Sequence, residues 1–295
     1  MLKLSQKQEQ LTAYLFILPA VLLLSLIILY PLVKSVELSF LNATFVNRNP
    51  HFVGLENYLK AFQAPIFWKV VKNSIIWTGV VVGFQFLAGL TLALFLDKIV
   101  IGRGLVRSCL LIPWVIPGAI VGVIWKLMYN PQIGLVNAIL LKFGIIQDYV
   151  AFLANEKTAL LAVIVAAIWK GAPFSVVMYL AALQSVRQDL LEAAVIDGAN
   201  FGQRLWHVTI PEIAGVIRIT LLLTTIWTFN YFDLTYTMTN GGPNKATQIF
   251  PLEIYEQAFR QFRFSYAAAL AVIALIAIGL VSIFYVRELR KREAF

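Results

Sequence analysis

Residues 188–211 read QDLLEAAVIDGANFGQRLWHVTIP, a mixed polar and apolar stretch between two strongly apolar segments. The pattern predicts a short helix over 188–197, a turn at Gly198, a second short helix over 201–209, and a new helix that begins at Pro211. Glycine gives a tight turn its backbone freedom, and proline loses no hydrogen bond in a first helical turn. The sequence therefore predicts an L-shaped element, here called the two-helix loop (residues 188–211).

The two-helix loop combines an apolar stripe with charges that are free to meet a partner. Helical spacing places Leu191 and Val195 on one stripe of the first helix and leaves Glu192 and Asp197 facing outward. The second helix presents an apolar face, with Arg204 near its other side; the face comprises Phe201, Leu205 and Val208. The pattern indicates a docking element exposed beside the membrane, although an ordinary amphipathic loop is the alternative interpretation.

The flanking chain has the composition of a membrane protein. Of 295 residues, 60% are hydrophobic and 13% are charged, and the mean hydropathy is +0.80, which no single soluble core could bury. Crossing a bilayer takes about 20 mainly apolar residues in a helix. Six such windows are Ala13–Val33, Asn73–Leu96, Ser108–Trp125, Thr158–Ala182, Ile219–Met238 and Tyr266–Val286. The sequence predicts an all-α integral membrane protein, with residues 1–295 forming one transmembrane domain.

The distribution of basic residues predicts the orientation. One alternating set of loops holds 11 Lys and Arg in 60 residues, and the other set holds 8 in 92. The richer set comprises 1–11, 97–107, 185–212 and 286–295. Because cytoplasmic loops carry the excess of Lys and Arg, we expect both termini in the cytoplasm. The net charge of +9 is explained by topology and anionic lipid contact, so no nucleic-acid partner is predicted.

The sequence offers no candidate for catalysis or metal binding. Cys109 is the only cysteine, and the two histidines, His51 and His207, fall in different predicted compartments. A nucleotide-binding Gly-x-x-x-x-Gly-Lys-Ser/Thr segment is absent from the sequence. We therefore predict no catalytic residue, no metal site and no cofactor in this chain.

Prolines in the third window predict a distorted helix. Pro113 and Pro117, in the stretch LIPWVIPG, each remove a backbone hydrogen bond. A bilayer tolerates this only where protein or a watered cavity satisfies the freed carbonyls. The window is either a helix that lines a pathway or one that is kinked for packing.

Several motifs resemble one transporter family. Glu192-Ala193-Ala194, followed by Gly198 and by Val208-Thr209-Ile210-Pro211, resembles the EAA signature of permease subunits of ATP-binding-cassette importers. Other elements resemble the carbohydrate-uptake branch, which includes the maltose and glycerol-3-phosphate permeases. These elements are Phe52–Tyr58, the Trp-Lys-Gly-Ala-Pro run at 169–173, and Thr239-Asn-Gly-Gly-Pro243 with Ile254-Tyr255 and Ala258-Phe259. The resemblance covers nearly the whole chain and implies a type I importer permease fold.

The resemblance implies a role for the two-helix loop and a set of partners. Within the cytoplasmic segment 185–212, the implied ATPase-coupling residues are Glu192, Ala193, Ala194, Asp197, Gly198, Arg204 and Pro211. ATP and Mg²⁺ are implied to bind a separate dimer of ATP-binding subunits. The other implied partners are a second homologous permease, a periplasmic or lipid-anchored solute-binding protein, and a sugar substrate.

A cargo pathway is expected where polar and aromatic side chains occur at membrane depth, since polar groups there indicate a cavity. In maltose-type relatives the corresponding segments line the sugar site. The residues so implied are Trp169, Lys170, Gly171, Phe174, Trp227, Thr228, Asn230, Tyr231 and Asp233. For Lys170 two hypotheses stay open: it attracts an anionic cargo, or it snorkels and pairs with a carboxylate.

Three rival functions are considered. An importer permease for a non-sugar solute would share the two-helix loop, and the sugar assignment is an analogy. A secondary transporter would need no cytoplasmic docking element and usually shows inverted repeats, which the sequence lacks. A membrane enzyme would need a nucleophile, a base and an orienting group together, and no such cluster is evident in the windows.

Overall fold

The computed structural model describes residues 6–46, 49–98 and 102–293, and these residues are mainly helical. The helices are α1 Gln6–Leu24, α2 Tyr30–Ser39, α3 Glu56–Gln63, α4 Pro65–Lys98, α5 Arg103–Val115, α6 Gly118–Met128, α7 Leu135–Lys142, α8 Glu156–Leu183, α9 Gln188–Ile196, α10 Phe201–Arg204, α11 Ile210–Phe229, α12 Asp233–Thr239, α13 Phe250–Tyr255 and α14 Phe264–Glu293. The orientation predicted for the termini falls partly on residues 1–5 and 294–295, outside the described residues.

Long apolar helices dominate the described chain. Five are long and apolar enough to cross a membrane, and the bent pair α5 and α6 makes up to six if it counts as one span. The five are Tyr14–Ser39, Pro65–Lys98, Glu156–Leu183, Phe201–Phe229 and Phe264–Glu288. The all-helical membrane fold predicted from composition is confirmed.

Two prolines lie just after π-turns in continuous helices, and one of them, Pro211, was expected to begin a helix. A π-turn at Ser25–Leu29 precedes Pro31, and another at Leu205–Thr209 precedes Pro211. Each turn is closed by a bond to the fifth residue back, as from the Ile210 amide to the Leu205 carbonyl. The wider turn accommodates a residue that has no N–H. The separate short helix predicted over 201–209 is therefore wrong, since 201–229 is one helix.

The third predicted window contains a sharp break. Helices α5 and α6 are bent by 94° at Ile116 and Pro117, which both have extended backbone. Pro113 lies inside α5 without breaking it. The residue before a proline is pushed out of the helical region, which explains why the break falls at Ile116. The expected distortion is thus a true break in the helix.

The described residues form two compact units, and the larger comprises 65–253, apart from 99–101, and 275–293. Its core is built on the pairing of α4 with α8, around the fully buried Trp77 and Tyr179. Gly89 of α4 lies directly against Ser175 of α8, where a methyl group would not fit. Small residues at such crossings let membrane helices approach closely and gain packing contacts.

The chain from 239 to 250 is an irregular segment of the larger unit, and its residues 246–250 are buried. The Asn73 side-chain amide donates to the carbonyls of Lys245, Ala246 and Gln248 at 3.1–3.2 Å. Gly241 has φ of +82° and lies against the Gln248 side chain, so only glycine fits. These bonds satisfy backbone groups that a helix would otherwise pair.

The smaller unit comprises 6–64, apart from 47–48, and 254–274. It contains the short helix α3, in which Asn57 and Ala61 are buried. Asn57 of α3 is buried and donates to the carbonyls of Ser39 and Leu41 at 2.9 and 2.7 Å. These bonds fasten α3 to the chain that leaves α2.

Candidate functional site

The turn of the two-helix loop is built around Gly198. Its φ of +81° lies in the left-handed region that favours glycine. The Ala199 amide donates to the Ala194 carbonyl at 2.9 Å, and the Gly198 amide donates to the Val195 carbonyl at 3.0 Å. This pair of bonds ends α9 in a Schellman motif, so the position of Gly198 fixes where the first helix stops.

A capping box begins the second arm of the loop. The Asn200 side chain accepts from the Gln203 amide at 2.9 Å, and the Gln203 side chain accepts from the Asn200 amide at 2.8 Å. The two bonds satisfy amides that a helix start leaves unpaired. The direction of the arm that continues into α11 is therefore defined by local bonds.

The two-helix loop exposes several large apolar side chains. Ile196 is 85% exposed and Trp206 is 67% exposed, and Val195 and Phe201 are each half exposed. The Val195 and Phe201 faces predicted from helical spacing are thus not buried within this chain. Exposed large apolar groups clustered in this way mark an interaction surface.

A groove of about 530 Å³ lies on the loop. Its lining residues are Gln188, Leu191, Glu192, Val195, Ile196 and Arg204. Glu192 and Arg204 of the implied coupling set therefore share one groove. The other members lie nearby: Ala193 and Ala194 on α9, Asp197 at its end, Gly198 at the turn, and Pro211 in the first turn of α11.

At the start of α9, an exposed ion pair joins Arg187, the residue before the helix, and Asp189 in its first turn. The Arg187 Nε donates to Asp189 Oδ1 at 3.1 Å, and a terminal guanidinium nitrogen contacts the other carboxylate oxygen. The hydrogen bond to Arg187 lowers the pKa of Asp189 below its ordinary value and raises the pKa of Arg187. Both groups are solvent-exposed, so the pair contributes little to stability.

A second candidate site is a cavity of about 340 Å³ within the larger unit, here called the central cavity. Its lining residues are Val81, Gln85, Trp114, Ala167, Lys170, Gly171, Phe174, Thr224, Trp227, Thr228 and Tyr231. They come from α4, α5, α8 and α11 and from the segment after α11. The volume lies in the range of small-molecule pockets.

One wall of the central cavity is aromatic. The Trp114 and Phe174 rings stack with centroids 5.8 Å apart, and Phe174 meets Trp227 edge to face at 4.9 Å. The three rings come from α5, α8 and α11. Rings held against one another in this way present fixed apolar faces to a ligand.

The same cavity also carries polar groups. The buried Tyr231 hydroxyl has no hydrogen-bond partner among the described residues. Gln85 donates to the Ala167 carbonyl at 3.2 Å, and its amide lies so close to Gly171 that a methyl group there would overlap it unless Gln85 moved. Thr224 donates to the Thr220 carbonyl at 2.8 Å, which leaves its hydroxyl oxygen able to accept. The cavity thus offers hydroxyl and amide groups beside aromatic faces.

Lys170 is the only charged residue among the described residues that line the central cavity. Its Nζ donates to the carbonyl of Ile116 at 2.7 Å and to that of Trp114 at 3.2 Å. Both carbonyls belong to the C-terminal end of α5, at the helix break. The ammonium therefore has protein partners that neither of the two sequence hypotheses anticipated.

Three of the implied pathway residues lie outside the central cavity. Trp169 packs against Trp125 at 5.9 Å and lines a separate apolar groove of about 910 Å³. Asn230 donates from its side-chain amide to the Ile226 carbonyl of its own helix at 2.8 Å. Asp233 begins α12, where its carboxylate accepts from the Leu234 amide at 3.0 Å. Lys170, Gly171, Phe174, Trp227, Thr228 and Tyr231 do line the cavity.

Trp114 and Gln85 were not among the implied pathway residues. Gln85 was visible as a polar interruption of the second window, and Trp114 as an aromatic residue between two prolines. Each signal consists of a single residue, and the direction in which its side chain points depends on how the helices pack. As for metal binding, no group of three or more His, Cys, Asp or Glu residues is close enough to hold an ion within 6–46, 49–98 and 102–293.

Comparison with known proteins gives consistent matches. The family model described as "Binding-protein-dependent transport system inner membrane component" matches residues 85–294. The trehalose/maltose transport system permease protein MalF of Thermococcus litoralis is 34% identical, covering 99% of this chain and 97% of its own. The sulfoquinovosyl glycerol transport system permease protein SmoG of Agrobacterium fabrum is 32% identical, covering 97% and 92%.

A solved structure matches the fold. It is a chain of a bacterial ABC transporter involved in the import of the acidic polysaccharide alginate, with a TM-score of 0.82. The match covers 96% of both chains at 22% identity. At this identity the likeness concerns the fold alone.

Proposed function

The chain belongs to the family of binding-protein-dependent transport system inner membrane components, and we propose that its cargo is a sugar that passes through the central cavity. It is a multi-pass permease subunit of an importer. In the proposed assembly it forms half of the translocation pathway, and the two-helix loop couples it to a separate ATPase. The proposal for the cargo rests on the central cavity, and the proposal for coupling rests on the loop.

The aromatic wall of the central cavity carries the sugar assignment. Sugars present apolar faces of C–H groups together with many hydroxyls, so they suit rings placed beside hydrogen-bonding groups. Trp114, Phe174 and Trp227 supply the rings. The unpaired Tyr231 hydroxyl and Thr228 supply polar groups in the same wall. The names of the relatives MalF and SmoG support a carbohydrate or a carbohydrate derivative as cargo.

The exposed surface of the two-helix loop supports a coupling role. Ile196 and Trp206 are largely exposed, so they contribute little to the folding stability of this chain by itself. Burying these apolar side chains against a partner would be favourable. In the adjoining groove Glu192 and Arg204 offer charges of both signs. A cytoplasmic ATP-binding subunit that inserts an apolar and charged surface there would move the loop, and α11 with it, because 201–229 is one helix.

The remaining partners are expected from the family to which the chain belongs, and because this chain forms only half of the proposed translocation pathway. We expect a second homologous permease, two ATP-binding subunits that hold ATP and Mg²⁺, and an extracytoplasmic solute-binding protein. ATP-driven closure of the ATPase pair would then bias the permease between two access states, a rigid-body switch. Both termini and the two-helix loop would lie in the cytoplasm.

ATP hydrolysis by the complete complex in lipid nanodiscs tests the proposal. The binding protein is added with neutral disaccharides, sugar phosphates, sulfonated sugars or, as a comparison, amino acids. We expect stimulation by one class of carbohydrate, and a higher half-saturating concentration of that carbohydrate in Phe174→Ala. Stimulation by an amino acid alone, or by none of the carbohydrates, would contradict a sugar cargo while leaving family membership intact.

A further inference from the structure

The break between α5 and α6 creates unpaired backbone groups at membrane depth. The last carbonyls of a helix and the first amides of the next have no partner within their own helices. Water is scarce in a bilayer, so a break persists only where side chains or a cavity satisfy these groups. The two helix ends at the break also carry opposite partial charges, negative at the end of α5 and positive at the start of α6.

Lys170 meets the first of these requirements. Its Nζ bonds the carbonyls of Trp114 and Ile116 at 3.2 and 2.7 Å, at the negative end of α5. A cation that bonds the last carbonyls of a helix satisfies them and interacts favourably with its dipole. Lys170 lies in the middle of α8, so a rigid neighbouring helix holds the ammonium at the break.

Asp233 lies at the other side of the break. Its carboxylate is so close to the backbone of Gly118, the first residue of α6, that a methyl group would overlap both of its oxygens. Gly118 is buried. An anion at this position faces the positive end of α6. The Leu234 amide bonds the same carboxylate at 3.0 Å and helps to fix its direction.

We propose that Lys170 and Asp233 are a matched pair of positioning residues that fix the 94° break between α5 and α6. Lys170 caps the carbonyl end of α5, and Asp233 stabilises the amide end of α6. The break in turn sets the place of Trp114, which lies in the last turn of α5 and stacks on Phe174. The effect of the Trp114 position on cargo rests on the proposed function. The role of Lys170 and Asp233 in fixing the break does not rest on it.

Lys170 is the charged residue among the described residues of the cavity wall, and its partners determine how its charge can act on a cargo. The ammonium of Lys170 is bonded to two carbonyls, so part of its charge is compensated by the protein before any cargo arrives. We therefore expect Lys170 to act on every cargo alike, through the position of Trp114, and not to select an anionic group.

The distance between two spin labels, one on each side of the break, tests directly whether Lys170 and Asp233 fix the break. Cys109, the only cysteine, is exposed on α5, and Leu127→Cys adds a second site on the exposed side of α6. The distance distribution is measured by double electron–electron resonance in the cargo-free complex in nanodiscs, with cysteines of other subunits removed. We expect Lys170→Met and Asp233→Asn each to broaden and shift the distribution beyond its original width, and Lys170→Arg to retain it.

Lys126→Met is the matched control, because Lys126 is an exposed lysine of α6. It should leave the distribution unchanged. If Lys170→Met does not assemble, Lys170→Gln, a neutral donor, is measured and should give an intermediate distribution. Unchanged distributions in both Lys170→Met, or its Gln replacement, and Asp233→Asn would overturn the proposal.

Uptake by the same variants gives an independent readout. Lys170→Met should raise the half-saturating concentration of neutral and anionic sugars by a similar factor. Selective loss of anionic cargo with an unchanged distance distribution would show that Lys170 is a ligand of the cargo, and the proposal would be wrong. The distance measurement needs no cargo. If the cargo is not a sugar, the measurement still shows whether Lys170 and Asp233 fix the break.

Discussion

The two-helix loop and the central cavity are built in opposite ways. The loop is a continuous stretch whose shape comes from local bonds, such as the Gly198 turn and the Asn200 capping box. The cavity is assembled from four helices and the segment after α11, and it depends on their packing. A loop defined locally is vulnerable at a single backbone position, whereas a cavity with many lining groups should lose affinity by degrees.

The largest effect is expected at Gly198, where a side chain would strain the left-handed backbone. An L-residue there costs about 1–2 kcal/mol, and a β-branched residue more. Gly198→Val should therefore abolish cargo-stimulated ATP hydrolysis, while Gly198→Asn, which tolerates this conformation, should retain most of it. No atom lies within 4 Å of the added carbon, so a clash would not explain the loss.

Gly144 provides the matched control for that substitution. It has φ of +68° with open space around it, and it lies outside the loop. Gly144→Val should leave stimulated hydrolysis close to the original value. Equal losses in Gly198→Val and Gly144→Val would mean that the loop has no special role.

A smaller but still strong effect is expected at Glu192. Glu192→Lys reverses the charge in the loop groove and should weaken docking of the ATPase by about tenfold or more, equivalent to about 1.4 kcal/mol. Co-purification of the ATP-binding subunits at rising salt measures this. Asp148→Lys, an exposed acid outside the loop, should have no effect. Full retention of the ATPase by Glu192→Lys would contradict the assignment.

Within the cavity, Trp227→Ala removes one ring of the aromatic wall. The loss of its contacts should raise the half-saturating cargo concentration by about tenfold, with the complex still assembled. Uptake into proteoliposomes gives the value. Trp68, which is similarly exposed but outside the cavity, is the control, and Trp68→Ala should transport normally. An unchanged concentration dependence in Trp227→Ala would remove the aromatic wall from the cargo site.

The smallest effects are expected at Tyr231 and Asn230. Tyr231→Phe deletes a hydroxyl that has no partner among the described residues, so it should cost only the bond to cargo, about 0.5–1.5 kcal/mol or roughly two- to thirteenfold in affinity. Asn230→Ala should have less effect still, since that amide bonds its own helix. A larger effect at Asn230 than at Tyr231 would place the cargo on the other side of α11. Cargo titrations of stimulated hydrolysis distinguish the two.

The loop was largely predictable from the sequence because its signals are local. Gly198 indicates a turn at its own position, and the apolar spacing within α9 indicates a helix over those same residues. The π-turn before Pro211 was not predictable, because proline usually ends a helix and only tertiary packing decides whether a helix can continue past it.

The cavity was predicted less well because its residues meet only through packing. The polar and aromatic character of α11 indicated a pathway, yet the direction of Asn230 and Trp169 depended on helix rotation. Lys170 illustrates the limit most clearly. Its partners are backbone carbonyls of a helix more than 50 positions away, which no side-chain pattern encodes.

Measuring ATP hydrolysis and uptake together in the same proteoliposomes tests most directly whether loop and cavity are separate parts of one transport cycle. For Trp227→Ala we predict that maximal hydrolysis is retained and that both activities require more cargo to reach half-maximum. For Gly198→Val we predict loss of stimulated hydrolysis and uptake at every cargo concentration. A common shift of half-saturation in both variants, or normal uptake in Gly198→Val, would contradict the account.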